Sequence, residues 1–183
     1  HIRKLMNIYN RYDELFLEEN FRLFKSELKK NLEKSRNINL NSKIELYKRN
    51  KVRIIDANSQ GYPEKLKELT DYPLFLYVKG KELKKGLNDE RRNIAVVGTR
   101  KVTKFGKSAC EKIVRELLEY EVTLISGLAE GIDTVALSAS VEKDGSAIAI
   151  VGSGLDIVYP YENKILWEKI SENGILISEH PLG

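Results

Sequence analysis

The chain has 183 residues and a hydrophobic fraction of 42%, enough for one sizeable domain and a small one. Its single cysteine, Cys110, excludes a disulfide framework or a cysteine-rich zinc site within the chain and fits a reducing compartment. No run of about 18 apolar residues and no signal-peptide pattern is present. We therefore expect a cytoplasmic protein that does not enter a membrane, and the abrupt ends suggest a piece of a longer chain.

The net charge of +4 is unevenly distributed along the chain. The stretch from His1 to Lys51 holds 13 Lys or Arg and 7 Asp or Glu, so the excess lies there. A second basic stretch, Lys79 to Lys107, holds 10 basic and 3 acidic residues. A polyanionic partner fits this pattern, although solvated helix faces are the favoured explanation of the N-terminal charges.

The N-terminal part predicts helices. All 12 glycines and all 4 prolines lie at or after Gly61. Before them, apolar residues recur at helical spacing, namely Leu15, Phe16, Phe21, Phe24, Leu28 and Leu32. We predict a small helical bundle over Ile2 to about Lys48, which is short for an independent core and therefore leans on the rest of the chain.

The middle of the chain predicts two strands and a short helix. Lys51–Asp56 and Leu74–Val78 are apolar runs typical of strands. Pro63 predicts the start of a short helix over Glu64–Leu69, because proline suits the first helical position. Lys79–Arg92 is a charged connector.

From Asn93 onward, apolar strands alternate with helices. The predicted strands are Asn93–Gly98, Val122–Gly127, Ser146–Gly152 and Gly174–Glu179. Thr103 is expected to cap the first helix, whose predicted apolar face is Phe105, Ala109, Ile113, Val114, Leu117 and Leu118. The next helices are predicted over Glu130–Glu142 and Asn163–Ser171. This alternation indicates a parallel, doubly wound sheet with helices on both faces.

Glycine turns come after these strands at the position where an open parallel sheet binds its ligands. The four strand-end segments are Gly98–Arg100, Ser126–Asp133, Gly152–Asp156 and Ser178–Glu179. Glycine lets a phosphate approach the backbone, helix N-termini offer free N–H groups, and Arg100 adds a bidentate donor. Any one turn can be purely structural, but three on one edge predict a site for an anionic ligand.

No standard cofactor or catalytic site is visible. The motifs G-x-G-x-x-G and G-x4-G-K-S/T are absent, and Gly152-x-Gly154 alone is a weak signal. Asp133 and Asp156 could be paired carboxylates, but such residues more often cap helices or orient loop backbone. Tyr159-Pro160-Tyr161 is either a packed loop or a stacking platform for a base. We expect neither a metal nor a cofactor.

Five motifs in register resemble one family over about Val52–Gly183. They are YPEKLKELTDYPLFLYVKG, VVGTR, ISGLAEGID, GSGLDIVYPYEN and ISEHPLG. Their order and spacing are similar to those of the DNA-processing protein A family, also called DprA or Smf. The resemblance implies an α/β fold with an extended Rossmann-like, doubly wound, mostly parallel sheet over residues 51–183, truncated at its C-terminal end. It implies a small helical (SAM-like) domain over residues 1–50.

The same resemblance implies a non-catalytic protein that binds single-stranded DNA. Such proteins protect incoming strands, load the RecA recombinase onto them in natural transformation, and work as homodimers. The arginine of the family's Val-Gly-Ser/Thr-Arg motif falls on Arg100. The predicted nucleic-acid-binding residues are Gly98, Thr99, Arg100, Lys101, Lys104, Ser126, Gly127, Gly131, Gly152, Gly154, Tyr161 and Lys164.

The sequence departs from the family pattern at three places. Leu137 stands where the family usually has histidine, which predicts an altered local contact. Tyr161 stands where some members have lysine, and Lys164 can substitute for it. The sequence stops before a Phe-Pro-x-Arg-Asn-Arg segment that supplies further basic residues in the family.

Two other functions fit the residues. A Rossmann-like module could bind or process a small phosphorylated ligand, with Asp133 or Glu179 as the carboxylate to test. A protein-interaction scaffold with purely structural glycine turns is the third possibility.

Overall fold

The computed structural model describes residues 30, 33–34, 39–81, 93–120, 122–142 and 146–183. The chain divides between Glu45 and Leu46, and the sheet with its covering elements belongs to the unit that begins at Leu46. Most of the predicted N-terminal bundle lies outside the described residues, as does the predicted connector from residue 82 to residue 92. Helix α1, Leu40–Arg49, is the described helix of that region.

The elements after α1 match the predicted order. The strands are β1 (Val52–Asp56), β2 (Phe75–Gly80), β3 (Asn93–Ala95), β4 (Thr123–Ser126), β5 (Ser146–Val151) and β6 (Ile175–Ser178). The α-helices are α2 (Lys104–Leu117), α3 (Ile132–Glu142) and α4 (Lys164–Asn173), and 3₁₀ turns occupy Glu64–Glu68, Leu118–Tyr120 and Tyr161–Asn163. The six strand predictions are confirmed, although β3 ends three residues earlier than expected.

The six strands form one sheet in the order β1-β2-β6-β5-β4-β3. Strands β3 to β6 are parallel, with Ile125 opposite Ala95 on one side and Ile148 on the other. Strand β2 is antiparallel to both β1 and β6. The carboxyl ends of the four parallel strands therefore meet at one edge of the sheet, as the sequence predicts.

Helices α2, α3 and α4 cover one face of this sheet. Val114 of α2, Leu137 of α3 and Trp167 of α4 belong to one buried cluster with Leu124 and Ala149 of the sheet. The order of the parallel strands runs without reversal, and right-handed crossovers then place every helix on the same side. None of the described helices has the length and apolar character needed to span a bilayer.

The opposite face has a different cover. Ile148, Ile175 and Ile177 pack there with Tyr62 and Val78, so the segment between β1 and β2 takes the place of a second helical layer. The α/β class and the mostly parallel sheet are confirmed. The expectation that helices cover both faces of the sheet does not hold for α-helices in the described part of the chain, because a reversal of strand order would be needed to move a crossover to the other side.

Helix α2 begins where the sequence predicts but turns a different face inward. Thr103 Oγ1 accepts a hydrogen bond from the Gly106 N–H at 3.0 Å, which confirms the predicted cap. Cys110 and Val114 are buried, whereas Phe105 is 83% exposed and Ile113 is 55% exposed. The predicted face is wrong at these two positions, because helical spacing identifies a stripe without fixing which flank of it meets the sheet.

Candidate nucleic-acid interface

The first strand-end turn, Gly98–Arg100, is held against the neighbouring strand. The Val96 N–H donates to the Ile125 carbonyl at 2.9 Å, which continues the pairing of β3 beyond its last residue. The buried Ser126 Oγ donates to the Val96 carbonyl at 2.6 Å. These hydrogen bonds fix the point at which the chain leaves the sheet, and they therefore hold the backbone that leads to Arg100.

The second turn, Gly127–Gly131, is braced from inside the protein. The buried Asn163 amide donates to the Leu128 carbonyl at 2.9 Å and to Thr134 Oγ1 at 2.8 Å. Thr134 Oγ1 donates in turn to the Ala129 carbonyl at 2.7 Å. Leu128 itself is buried with φ +56°, a left-handed conformation that such a network can hold in place.

Gly131 joins the second turn to the first. Its φ is +86°, and a Cβ there would press on the carbonyl oxygens of Thr99 and Arg100. The Ile132 N–H donates to the Thr99 carbonyl at 3.1 Å across the same contact. Only glycine satisfies both this φ and this close approach, so the two turns are built as one wall.

The third turn, Gly152–Asp156, is braced by the segment after β6. Ser178 Oγ donates to the Ser153 carbonyl at 2.7 Å. A Cβ on Gly154 would lie 2.6 Å from the Pro181 carbonyl oxygen, so only glycine fits there. The Gly183 N–H donates to Asp156 Oδ2 at 3.2 Å.

In the second turn, the Asp133 carboxylate likewise accepts a hydrogen bond from a backbone N–H, that of Gly127, at 3.1 Å.

The contacts of these two carboxylates show the structural role of Asp133 and Asp156. Each carboxylate accepts a hydrogen bond from a backbone N–H, and Asp133 is buried. The interpretation of Asp133 and Asp156 as residues that orient backbone is therefore confirmed. Among the described residues, no group of three or more His, Cys, Asp or Glu side chains is placed to hold a metal ion.

The turns enclose an open pocket of about 270 Å³ at the carboxyl edge. Its lining residues are Arg100, Gly127, Ala129, Glu130, Val151, Gly152, Ser153, Tyr159 and Pro160. Arg100 and Glu130 are both exposed, and no hydrogen bond or ion pair occupies either side chain in the described structure. A Cβ built on Gly152 meets no atom within 4 Å, so nothing in the described protein requires glycine at that point. The pocket thus offers a free guanidinium beside bare backbone, the arrangement that suits a phosphate.

The structure sorts the predicted site residues into three groups. Arg100, Gly127 and Gly152 line the pocket. Gly98, Thr99, Ser126, Gly131 and Gly154 support its walls. Lys101, Lys104, Tyr161 and Lys164 are exposed and lie outside the pocket lining. Lys164 Nζ is 5.9 Å from the centroid of the Tyr161 ring, so these two form a separate exposed pair.

Several lining residues were not among the predicted site residues. Tyr159, rather than Tyr161, supplies the aromatic side chain of the pocket, and it is 67% exposed. Glu130 and Ser153 also line it, and their place within the predicted strand-end segments Ser126–Asp133 and Gly152–Asp156 was a usable signal. Leu137 is completely buried in the core, so the departure from the family's histidine lies away from the pocket lining.

Comparison with known proteins identifies the family. The model for DNA recombination-mediator protein A matches residues 53–183, which include every predicted site residue. The chain belongs to the DNA-processing protein A (DprA/Smf) family. The glycine-turn motifs that resemble DprA/Smf are therefore the motifs that build this pocket.

Relatives in the DprA/Smf family match a similar part of the chain. DNA processing protein DprA of Streptococcus pneumoniae is 40% identical over 123 residues, covering 67% of this chain and 42% of that protein. DNA processing protein DprA of Bacillus subtilis is 35% identical over 135 residues, covering 74% and 44%. Protein Smf of Escherichia coli is 37% identical over 130 residues, covering 70% and 34%. The chain spans less than half the length of these relatives.

Two solved DprA structures share the fold. The crystal structure of DNA processing protein A from Streptococcus pneumoniae aligns with a TM-score of 0.66 and 35% identity, over 73% of this chain and 45% of that one. The structure of DNA processing protein A from Helicobacter pylori, described for its single-stranded DNA binding mode, aligns with a TM-score of 0.62 and 28% identity, over 72% and 56%. The Rossmann-like α/β assignment is confirmed by both.

Proposed function

We propose that this chain binds single-stranded DNA at the carboxyl edge of its parallel sheet. Membership of a family described as a DNA recombination mediator supports this, as does the likeness to a Helicobacter pylori protein described for that binding mode. Within the whole protein, the chain would protect incoming DNA in the cytoplasm and deliver it to RecA during natural transformation, as a homodimer and without catalysis.

One observation carries the proposal. The free Arg100 side chain and Gly152 line the same pocket. No described atom lies close enough to Gly152 to require glycine at that position. A phosphate at this point would accept a bidentate hydrogen bond from the guanidinium and approach the backbone closely. The exposed Lys101, Lys104 and Lys164 would neutralise neighbouring phosphates, and exposed Tyr159 would stack on a base.

The test replaces Arg100 and measures binding as salt is raised. Arg100→Ala should weaken binding of a labelled single-stranded oligonucleotide of any sequence, and removing one phosphate contact should lower the salt slope by about 0.7. Lys112→Ala is the matched control, because Lys112 is an exposed cation of α2 outside the pocket lining. Fluorescence anisotropy over a salt series gives both the affinity and the slope.

Competition separates this function from its rivals. Unlabelled single strands should displace the probe, whereas duplex and free nucleotides should not. Displacement by mononucleotides would favour the small-ligand function instead. If Arg100→Ala changes neither the affinity nor the salt slope, Arg100 does not contact the strand. If a longer form of the protein fails to bind single strands, the proposal is overturned.

A further inference from the structure

The segment after β6, residues 179–183, lies against the third turn. The Gly183 N–H donates to Asp156 Oδ2 at 3.2 Å, and the Pro181 carbonyl oxygen lies so close to Gly154 that a Cβ there would be 2.6 Å away. The segment has no helix or strand of its own. Its position therefore depends on individual contacts, and a contact that holds this segment also holds the third turn.

One side chain holds this segment from another part of the chain. The Tyr47 hydroxyl accepts a hydrogen bond from the Leu182 N–H at 3.2 Å, across 135 positions of sequence. No other hydrogen bond among the described residues uses this N–H. Leu182 is buried in the same cluster as Leu155 of the third turn. Loss of the Tyr47 hydroxyl would leave a half-buried backbone donor without its partner, which a folded chain avoids by moving that backbone.

Tyr47 is itself placed by the sheet. Its ring stacks on that of Tyr77 in β2, with centroids 5.7 Å apart and planes within 15°. Tyr77 lies opposite Ser178, the last residue of β6, and the Ser178 hydroxyl donates to the Ser153 carbonyl of the third turn at 2.7 Å. All of these residues belong to the unit that begins at Leu46. The contacts therefore form a continuous path from the end of α1 to the third turn.

We propose that Tyr47 is a positioning residue of the strand-binding site, which holds residues 179–183 against the third turn through the Leu182 N–H. Tyr47 is outside the pocket lining, whereas Gly152 and Ser153 of the third turn line it. A phenylalanine ring could stack in the same place, so the role belongs to the hydroxyl. A turn that already has its binding conformation need not be ordered by the ligand, and this strengthens binding. The inference rests on the proposed binding of single-stranded DNA.

Tyr47→Phe tests this role, because it keeps the stacked ring and deletes the acceptor. In anisotropy titrations of the 183-residue chain, a labelled single-stranded oligonucleotide should bind the variant about fivefold less tightly, the equivalent of one ordinary hydrogen bond. The salt slope should stay that of the unaltered chain, since no phosphate contact is removed. This separates a positioning residue from Arg100, whose replacement is expected to lower the slope.

Amide hydrogen exchange locates the effect within the site. The Ile157 N–H donates to the Gly154 carbonyl at 2.9 Å and reports on the third turn, and the Thr134 N–H donates to the Ala129 carbonyl at 3.2 Å and reports on the second. In Tyr47→Phe, exchange of the Ile157 amide should quicken about fivefold, while exchange of the Thr134 amide stays unchanged. A general loosening of the fold would quicken both.

Tyr62→Phe is the matched control. The buried Tyr62 hydroxyl donates to the Pro73 carbonyl at 2.6 Å on the opposite face of the sheet, so this variant also loses a hydrogen bond between a tyrosine and the backbone. It should lower the free energy of unfolding. It should leave both the affinity for single strands and the exchange of the Ile157 amide unchanged.

The outcomes separate this inference from the function on which it rests. Unchanged affinity and exchange in Tyr47→Phe would overturn the role of Tyr47 and leave strand binding standing. An equal loss of affinity in Tyr62→Phe would show that stability alone is responsible, and a lowered salt slope in Tyr47→Phe would show direct contact with the strand; either result overturns positioning. Absence of binding to single strands by both this chain and a longer form would overturn both proposals.

Discussion

At the scale of single residues, the glycines of the site divide by what surrounds them. Gly131 adopts a positive φ against two carbonyl oxygens, and a Cβ on Gly154 would lie 2.6 Å from the Pro181 carbonyl oxygen. Those glycines are required by the protein's own backbone. Gly152 faces open space, so the described fold does not require it to lack a side chain.

This contrast gives the first prediction. Gly152→Ala should change the free energy of unfolding by less than about 0.5 kcal/mol, because its methyl group meets no described protein atom. It should nevertheless weaken binding of single-stranded DNA, since the methyl group occupies the pocket. Gly131→Ala should destabilise the fold by more than about 1 kcal/mol through its strained φ and close contacts.

Urea denaturation and anisotropy titration of both variants measure the two effects separately. Loss of stability in Gly152→Ala comparable to that in Gly131→Ala would show that Gly152 is structural. Unchanged affinity in a stable Gly152→Ala would place the strand elsewhere.

The sequence predicts some of the residues of the site but not others. The glycine turns and Arg100 follow from the rule that parallel strands end at a common edge, so the location of the pocket was predictable. Which of Tyr159 and Tyr161 lines the pocket was not, because the path of an irregular loop is decided by packing and hydrogen bonds distant in sequence. Lys101, Lys104 and Lys164 were predicted as phosphate ligands but lie outside the pocket lining, whereas Glu130 lines the pocket and was not among the predicted site residues.

At the scale of elements, Asn163 connects the turn before α4 to the second strand-end turn. Its amide donates hydrogen bonds to the Leu128 carbonyl and to Thr134 Oγ1, and Thr134 Oγ1 donates in turn to the Ala129 carbonyl. The whole network is buried or half-buried, so loss of the amide leaves the Leu128 carbonyl without its partner where water has little access.

Asn163→Ala should therefore lower the free energy of unfolding by about 1–3 kcal/mol. It should also raise amide hydrogen exchange across Gly127–Gly131, because the turn loses its brace. The control is Asn173→Ala, which removes an exposed amide at the end of α4. An exchange pattern in Asn163→Ala that matches the control would show that the turn holds its shape without the network.

Local sequence predicts where α2 begins but not which of its side chains are buried. Thr103 begins α2 as predicted, since capping is a local interaction between residues three apart. The exposure of Phe105 and Ile113 was not predictable from spacing, because it depends on where α2 sits over the sheet. Ile150 is 48% exposed for a related reason, as the unreversed strand order leaves its side of the sheet without an α-helix in the described part of the chain.

At the scale of the whole molecule, one pair of tyrosines joins segments that lie far apart in sequence. The rings of Tyr47 and Tyr77 stack with centroids 5.7 Å apart and planes within 15°. The Tyr47 hydroxyl accepts from the Leu182 N–H at 3.2 Å, next to the segment that braces the third turn. Burial, together with the nearby Tyr47, raises the pKa of Tyr77 to about 12 from its ordinary value near 10.

The raised pKa makes the stability of the fold sensitive to alkali. The folded chain holds the Tyr77 proton more tightly than the unfolded chain, so this contribution is complete below about pH 10 and is lost as the pH rises towards 12. The free energy of unfolding should fall over that window, and Tyr77→Phe should reduce the fall because phenylalanine has no proton to lose. Urea denaturation at several pH values, followed by the fluorescence of the buried Trp167, measures the slope. Tyr161→Phe, at a tyrosine that is 70% exposed, should keep the slope of the unaltered chain. Parallel curves for Tyr77→Phe and the unaltered chain would show that the alkaline loss of stability comes from other groups.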